Sequence, residues 1–309
     1  MKTYRLRIKP QSSFLTPWQA DTIFGSLCWI IAWRDGEGAL KKFLLEYENH
    51  QPVFVLSDGM PGDLLPAPAH LPLIMTKTEN RDDYEKAKKL KKVSWLSPEM
   101  FESIRRGNLE NDLLEDCKTL KTFTTLHSSI NRITGTTGEE GSLFELQEYA
   151  LEKSLHTISI YLKIRDGWEE KVFSLCKDLS LMGYGKKKSV GKGSFKIIGD
   201  LELFETFERL EDSNGFLSLS NFVPSASDPT EGYYKTMVKY GKLGGEFTFS
   251  ENPFKKPLMM LTAGAVFKVN GAVKPFYGRM VEGLSSIKPE VVHYGFAFAV
   301  PITLENFNA

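Results

Sequence analysis

The sequence predicts an α+β protein built on antiparallel sheets, and two kinds of spacing carry that reading. Tyr4, Leu6 and Ile8 alternate with Thr3, Arg5, Arg7 and Lys9; later His156, Ile158, Ile160, Leu162 and Ile164 alternate as a half-buried strand. Helical spacing follows each: Ile23, Phe24, Leu27, Ile30 and Ile31 after the first, Val172, Leu175, Cys176, Leu179 and Met182 after the second. Strands over 53–56 and 194–198 close the two units. Strand–helix–strand twice over is the ferredoxin-like order, here with large insertions.

The remaining elements follow in chain order. Gly36 and Gly38 break the first helix, and a short second helix is expected over 39–47. Pro66, Pro68 and Pro72 make 64–73 an extended stretch packed on the surface. Residues 77–92 carry seven basic and four acidic side chains and read as a solvated helix face. Ser97-Pro98-Glu99 is a helix start, with Ser as the cap and Pro in the first turn, and residues 99–116 are acidic. Strand character returns at Leu120, stops at Asn131-Arg132-Ile133-Thr134-Gly135-Thr136-Thr137-Gly138 and resumes at 143–146, a long hairpin with a polar tip. An acidic boundary near 200–215 separates a domain over 1–205 from a smaller β-rich or degenerate ferredoxin-like domain over 206–309. Strands are expected there at 216–222, 258–269 and 293–300.

Composition narrows the function. The 309 residues hold 39 Lys+Arg against 39 Asp+Glu, and 41% are hydrophobic, which suits a packed core and excludes disorder as the main state. No run of about 18 apolar residues is present, so no membrane span is expected. Cys28, Cys117 and Cys176 form no CxxC pair, which argues against a disulfide framework or a cysteine zinc site and for a reducing cytoplasm. His50, His70, His127, His156 and His293 show no metal-ligand spacing, so neither a metal nor another cofactor is expected. His156 reads as a packed strand residue. A zero net charge removes the easy argument for nucleic acid, yet the charge is segregated along the chain.

The sharpest local feature is the run Gly183-Tyr184-Gly185-Lys186-Lys187-Lys188-Ser189-Val190-Gly191-Lys192-Gly193, with four glycines, four lysines and no acid. It lies between a helix end and a strand start, where backbone amides can face an anion and lysines can neutralise phosphates. It fits neither GxxxxGK[ST] nor GxGxxG, because Lys186, Gly193 and Lys188 occupy positions those patterns forbid. The hairpin tip, with Asn131, Arg132, Thr134 and Thr136, can hydrogen-bond phosphate, ribose or base edges, and His127 lies beside it. Phe14, Thr16 and Trp18 follow the first strand, and the two rings either offer stacking surfaces for single-stranded RNA or cap the core beneath the following helix. As an alternative, a histidine such as His50 could act as general base in a metal-independent endoribonuclease on precursor RNA.

Several of these segments resemble the RAMP superfamily, and within it the Csm subunit four family of type III-A CRISPR effector complexes. Phe14-Leu15-Thr16-Pro17 and Ala20-Asp21-Thr22-Ile23-Phe24-Gly25-Ser26-Leu27 resemble the family's strand-to-helix opening. Ser129-Ile130-Asn131-Arg132-Ile133-Thr134-Gly135-Thr136 is similar to its hairpin motif, where Asp often replaces Asn131, and 183–193 to its glycine-rich loop. Leu261-Thr262-Ala263-Gly264-Ala265-Val266-Phe267 and His293-Tyr294-Gly295-Phe296 resemble its C-terminal signatures. The resemblance implies two ferredoxin-like, RRM-related domains and no catalytic activity. It implies binding of the repeat-derived 5′ handle of crRNA, held by Gly183, Gly185, Lys186, Lys187, Lys188, Ser189, Gly191, Lys192 and Gly193, with the hairpin as a thumb. It also implies docking of the large Cas ten-type polymerase subunit and contact with the backbone RAMP subunit.

Overall fold

The computed structural model describes residues 1–71, 88, 91–108, 117–137, 143–208 and 210–304. Most of the charge run at 77–92, the acidic residues 109–116 and Gly138 lie outside the described residues. In chain order the first half contains β1 (Lys2–Pro10), α1 (Ala20–Asp35), α2 (Glu37–Glu48), β2 (Phe54–Leu56), β3 (Met60–Pro61), β4 (Leu65–Pro66), β5 (Trp95–Leu96) and α3 (Pro98–Arg105). There follow β6 (Leu120–Ser128), β7 (Leu143–Leu151), β8 (Ile158–Ile164), α4 (Glu169–Met182) and β9 (Phe195–Leu203).

The first sheet has the order β2-β8-β1-β9, with β3 also on β8, and every pairing is antiparallel. That is the ferredoxin-like arrangement expected from the two strand–helix–strand runs. The insertion between its second and third strands carries β3 to β7. Within it β6 and β7 form a two-stranded hairpin of their own, in register from Leu120↔Leu151 to Ser128↔Leu143, joined to the rest by an isolated bridge between Tyr149 and Phe14 at its root. The α3 start matches its sequence signal: the Ser97 hydroxyl accepts from Met100 N–H at 3.2 Å. The α1 start is capped from a distance, because Ala20 N–H donates to the buried Asp58 carboxylate at 2.8 Å.

The second half contains β10 (Gly215–Ser218), β11 (Gly232–Tyr233), β12 (Thr236–Lys239), β13 (Leu258–Leu261), β14 (Val266–Lys268), β15 (Phe276–Val281) and β16 (His293–Ile302). Its main sheet has the order β11-β14-β10-β16-β15, and β12 and β13 form a separate ribbon. No α-helix occurs among its described residues. The single strand expected over 258–269 is two strands. A turn at residues 262–265 separates them, with Ala265 N–H on the Thr262 carbonyl and Gly264 N–H reaching across to Ser218.

The two main sheets share a core. β8 is buried at all seven positions rather than alternating, and His156 lies outside it, exposed. The reason is cover on both faces, by helices on one side and the second sheet on the other. Leu6, Ile160, Leu162 and Leu27 belong to the same apolar cluster as Leu217, Phe296, Phe298 and Val300. Lys163, on β8, donates to the Pro275 carbonyl at 2.9 Å and to the Ala299 carbonyl, and lies 4.9 Å from the Phe298 ring centre. Burial pulls its pKa down to about 7. Leu56 N–H donates to the Tyr294 hydroxyl at 3.0 Å, a second polar tie across the seam.

Candidate nucleic-acid interface

The loop between α4 and β9 closes upon itself. Tyr184 N–H donates to the Gly193 carbonyl and Gly193 N–H to the Ser13 carbonyl, each at 2.9 Å. Gly193 has φ +68°, and a Cβ there would lie 1.9 Å from the Tyr184 carbonyl oxygen, so only glycine fits this crossing. Tyr184 forms the floor of the loop. Its ring stacks on Trp18 with centroids 4.0 Å apart, and its hydroxyl donates to the Pro17 carbonyl at 2.7 Å. Thr16 Oγ1 accepts Lys186 N–H at 3.0 Å and pins the rim.

Above this floor Lys186, Lys187, Lys188 and Ser189 are exposed. Lys187 takes a left-handed backbone at φ 62° and leads into the 3-10 turn Lys188–Val190. The amides of Lys187, Lys188 and Ser189 make no hydrogen bond to the described residues, and the three lysines pair with no carboxylate among them. Unpaired amides beside three free ammonium groups suit the phosphates of a polyanion.

Lys192 differs from its neighbours. Its ammonium lies 2.7 Å from Glu148 Oε2 and 3.1 Å from Ser13 Oγ. Glu148 sits on β7 with 0% exposure, so an acid does reach the acid-free loop, from the hairpin. The Lys192 ammonium, the Ser13 hydroxyl and the Thr125 hydroxyl, the last at 2.6 Å, hold its carboxyl at about 2. Thr125 in turn lies 3.0 Å from His127 Nε2. Lys192 is therefore also part of the frame, ion-paired where Lys186–Lys188 are not.

Phe14 and Trp18 are 1% and 6% exposed, so their faces serve the protein rather than a base. Phe14 stacks on Tyr149 at 6.1 Å and exchanges both backbone hydrogen bonds with it, tying the root of the hairpin to the β1–α1 connection. Of the two readings of these rings, the packed one holds, and Trp18 lies under the loop through its stack on Tyr184. His127 is half-buried and stacks on Phe144 at 5.6 Å.

At the tip Asn131, Arg132, Thr134 and Thr136 are exposed. Asn131 Oδ1 accepts Ile133 N–H at 2.9 Å, an Asx turn, and the Thr134 and Thr136 hydroxyls lie 2.9 Å apart. His50 follows α2 with φ 54° and faces the Phe296 ring edge-on at 6.3 Å, apart from these elements. Sequence reasoning missed Ser13, Thr125 and Glu148. The available signal was Glu148 on the same strand face as Phe144 and Leu146, a charge in an inward-facing series.

No protein-family model matches the chain, and no curated protein matches it. Solved structures do. A chain from the crystal structure of a Csm1-Csm4 cassette in complex with cA4 is similar at TM-score 0.62 and 16% identity, covering 98% of this chain and 99% of that one. A chain from the Csm3-Csm4 subcomplex of the type III-A CRISPR-Cas interference complex is similar at TM-score 0.61 and 15% identity, covering 98% and 100%. The cassette in complex with AMPPNP gives TM-score 0.61 at 17% identity, covering 98% and 99%. At such identities the likeness is one of architecture: over nearly its whole length the chain shares its fold with chains of these Csm1-Csm4 and Csm3-Csm4 assemblies.

Proposed function

We propose that this chain is a non-catalytic subunit of a type III-A CRISPR–Cas interference complex, and that it holds the repeat-derived 5′ handle of crRNA. The loop over 183–193 grips the sugar–phosphate chain through Lys186, Lys187, Lys188 and the free amides beside them. The β6–β7 hairpin acts as a thumb, pressing its tip residues Asn131, Arg132, Thr134 and Thr136 between nucleotides near the junction of handle and guide. Other faces dock the large polymerase-type subunit and the neighbouring backbone RAMP subunit.

The observation that supports this reading most is the exposed triplet Lys186–Lys188, ion-paired with no carboxylate among the described residues of a neutral protein. The fold likeness to chains of Csm1-Csm4 and Csm3-Csm4 assemblies supports the same class of role. Fluorescence anisotropy with labelled repeat-derived RNA tests it. Replacing all three lysines by Met should weaken binding most at low salt and flatten the slope of log K against log salt by about 2, at about 0.7 per phosphate contact on a single strand. Unchanged affinity and slope would place RNA binding elsewhere on the molecule.

A further inference from the structure

Glu148 is a buried carboxylate that neither α4 nor β9 supplies, yet it is the centre of the loop's polar frame. Its two oxygens meet Lys192 Nζ and the Ser13 hydroxyl on one side and the Thr125 hydroxyl on the other. Those partners come from the loop, the β1–α1 connection and β6, while Glu148 itself belongs to β7. A next-door residue, Tyr149, adds the backbone pair with Phe14, so the strand is fastened twice within two residues. Replacing one partner would strand a buried charge, which is far costlier than losing an exposed pair. Lys187 contributes a looser contact, its ammonium 5.5 Å from the Phe144 ring centre on the same face of the hairpin.

We infer that Glu148 is a positioning and specificity-determining residue: it locks the glycine loop to the root of the hairpin and withholds Lys192 from RNA. The inference rests on the RNA-binding reading above for its second half only. Locking the loop fixes where Lys186–Lys188 stand before RNA arrives, so less ordering is left to be done on binding. Withholding Lys192 lowers the sequence-independent attraction to any phosphate chain, which leaves discrimination to shape and to the hairpin tip.

The test uses the full chain with Glu148→Gln, Lys192→Met and the double variant, and two labelled single-stranded RNAs, the repeat-derived segment and an oligouridylate of equal length. Glu148→Gln keeps the shape and frees the ammonium. It should steepen the salt slope by about 0.7 and bring the affinities for the two RNAs closer together. Adding Lys192→Met to it should cancel that steepening. Lys192→Met alone should leave the slope where it was, unlike Met at Lys186. A flattened slope for Lys192→Met, or an unchanged slope for Glu148→Gln, overturns the withholding. Hydrogen exchange of the free protein tests the lock without RNA. Glu148→Gln should speed exchange at the Lys186, Gly193 and Tyr149 amides about tenfold, and Glu148→Asp should recover some of that protection. Unchanged protection overturns the lock. If the parent chain binds neither RNA, the proposed function fails while the exchange result still decides the lock.

Discussion

Gly191 and Gly193 share a left-handed backbone, at φ +82° and +68°, yet their surroundings differ. Nothing lies within 4 Å of a Cβ at Gly191, whereas the Tyr184 carbonyl blocks one at Gly193. Gly191→Ala should therefore cost only backbone strain, about 1 kcal/mol, while Gly193→Ala must push apart the hydrogen-bonded strands of the loop and cost about 2–4 kcal/mol. Urea unfolding of both variants measures the difference; equal losses would contradict the crossing geometry. At this scale the sequence speaks clearly about backbone and poorly about partners. Four glycines around four lysines announce an unusual turn, and Lys186–Lys188 are free as expected. The pairing of Lys192 is not legible, because its acid stands 44 positions earlier in the chain, where local charge composition has no reach.

The β6–β7 hairpin gains its order from its own ladder and from the fastening at its root, since no other strand pairs with it among the described residues. Leu126, Ile130, Ile133 and Leu143 are 64–95% exposed, so its outer region buries little. Replacing residues 128–143 by Asn-Gly, a two-residue turn closing the His127↔Phe144 pair, should leave the melting temperature within about 2 °C of the parent. The same change should weaken binding of RNA that spans handle and guide. A large drop in melting temperature would mean the outer hairpin is packed after all. The hairpin is legible because two strand-like runs flank an unmistakable polar turn. The split of the 258–269 segment is not, because Leu261 to Val269 is apolar enough to read as one strand, while the turn rests on a left-handed Gly264 and on contacts with distant residues such as Ser218, Asn221 and Lys235. β15 escapes notice for a related reason: Gly278 and Arg279 interrupt its alternation while its partner β16 sets its register.

At the scale of the whole molecule, a polar knot joins the second half to the start of α1. Asp21 Oδ2 lies 2.8 Å from Lys239 Nζ and 3.3 Å from His293 Nε2, and Asp58 caps the same helix. Burial, aided by the charge of Asp21, raises Asp58 to about 7, and burial lowers His293 to about 4. The two act on stability in opposite senses. Between about pH 4 and 6.5 the unfolded chain binds a proton at His293 that the folded chain refuses, so stability rises with pH. Between about pH 4 and 7 the folded chain holds a proton at Asp58 that the unfolded chain has lost, so stability falls with pH. In the window of about pH 5–6.5 His70, which burial also lowers to about 4, acts in the same sense as His293, so His293→Gln should flatten the rise of melting temperature with pH, and Asp58→Asn should steepen it. Thermal melts across that window check both signs, and parallel profiles would refute the assignment.

The common core has a mechanical consequence. Leu217, Phe296 and Val300 are cemented among side chains of the first sheet, so a protease that nicks the link between Leu203 and Gly215 should sever the chain without releasing a fragment. Both pieces would elute together from a sizing column and melt in a single calorimetric step, a clipped protein still behaving as one object.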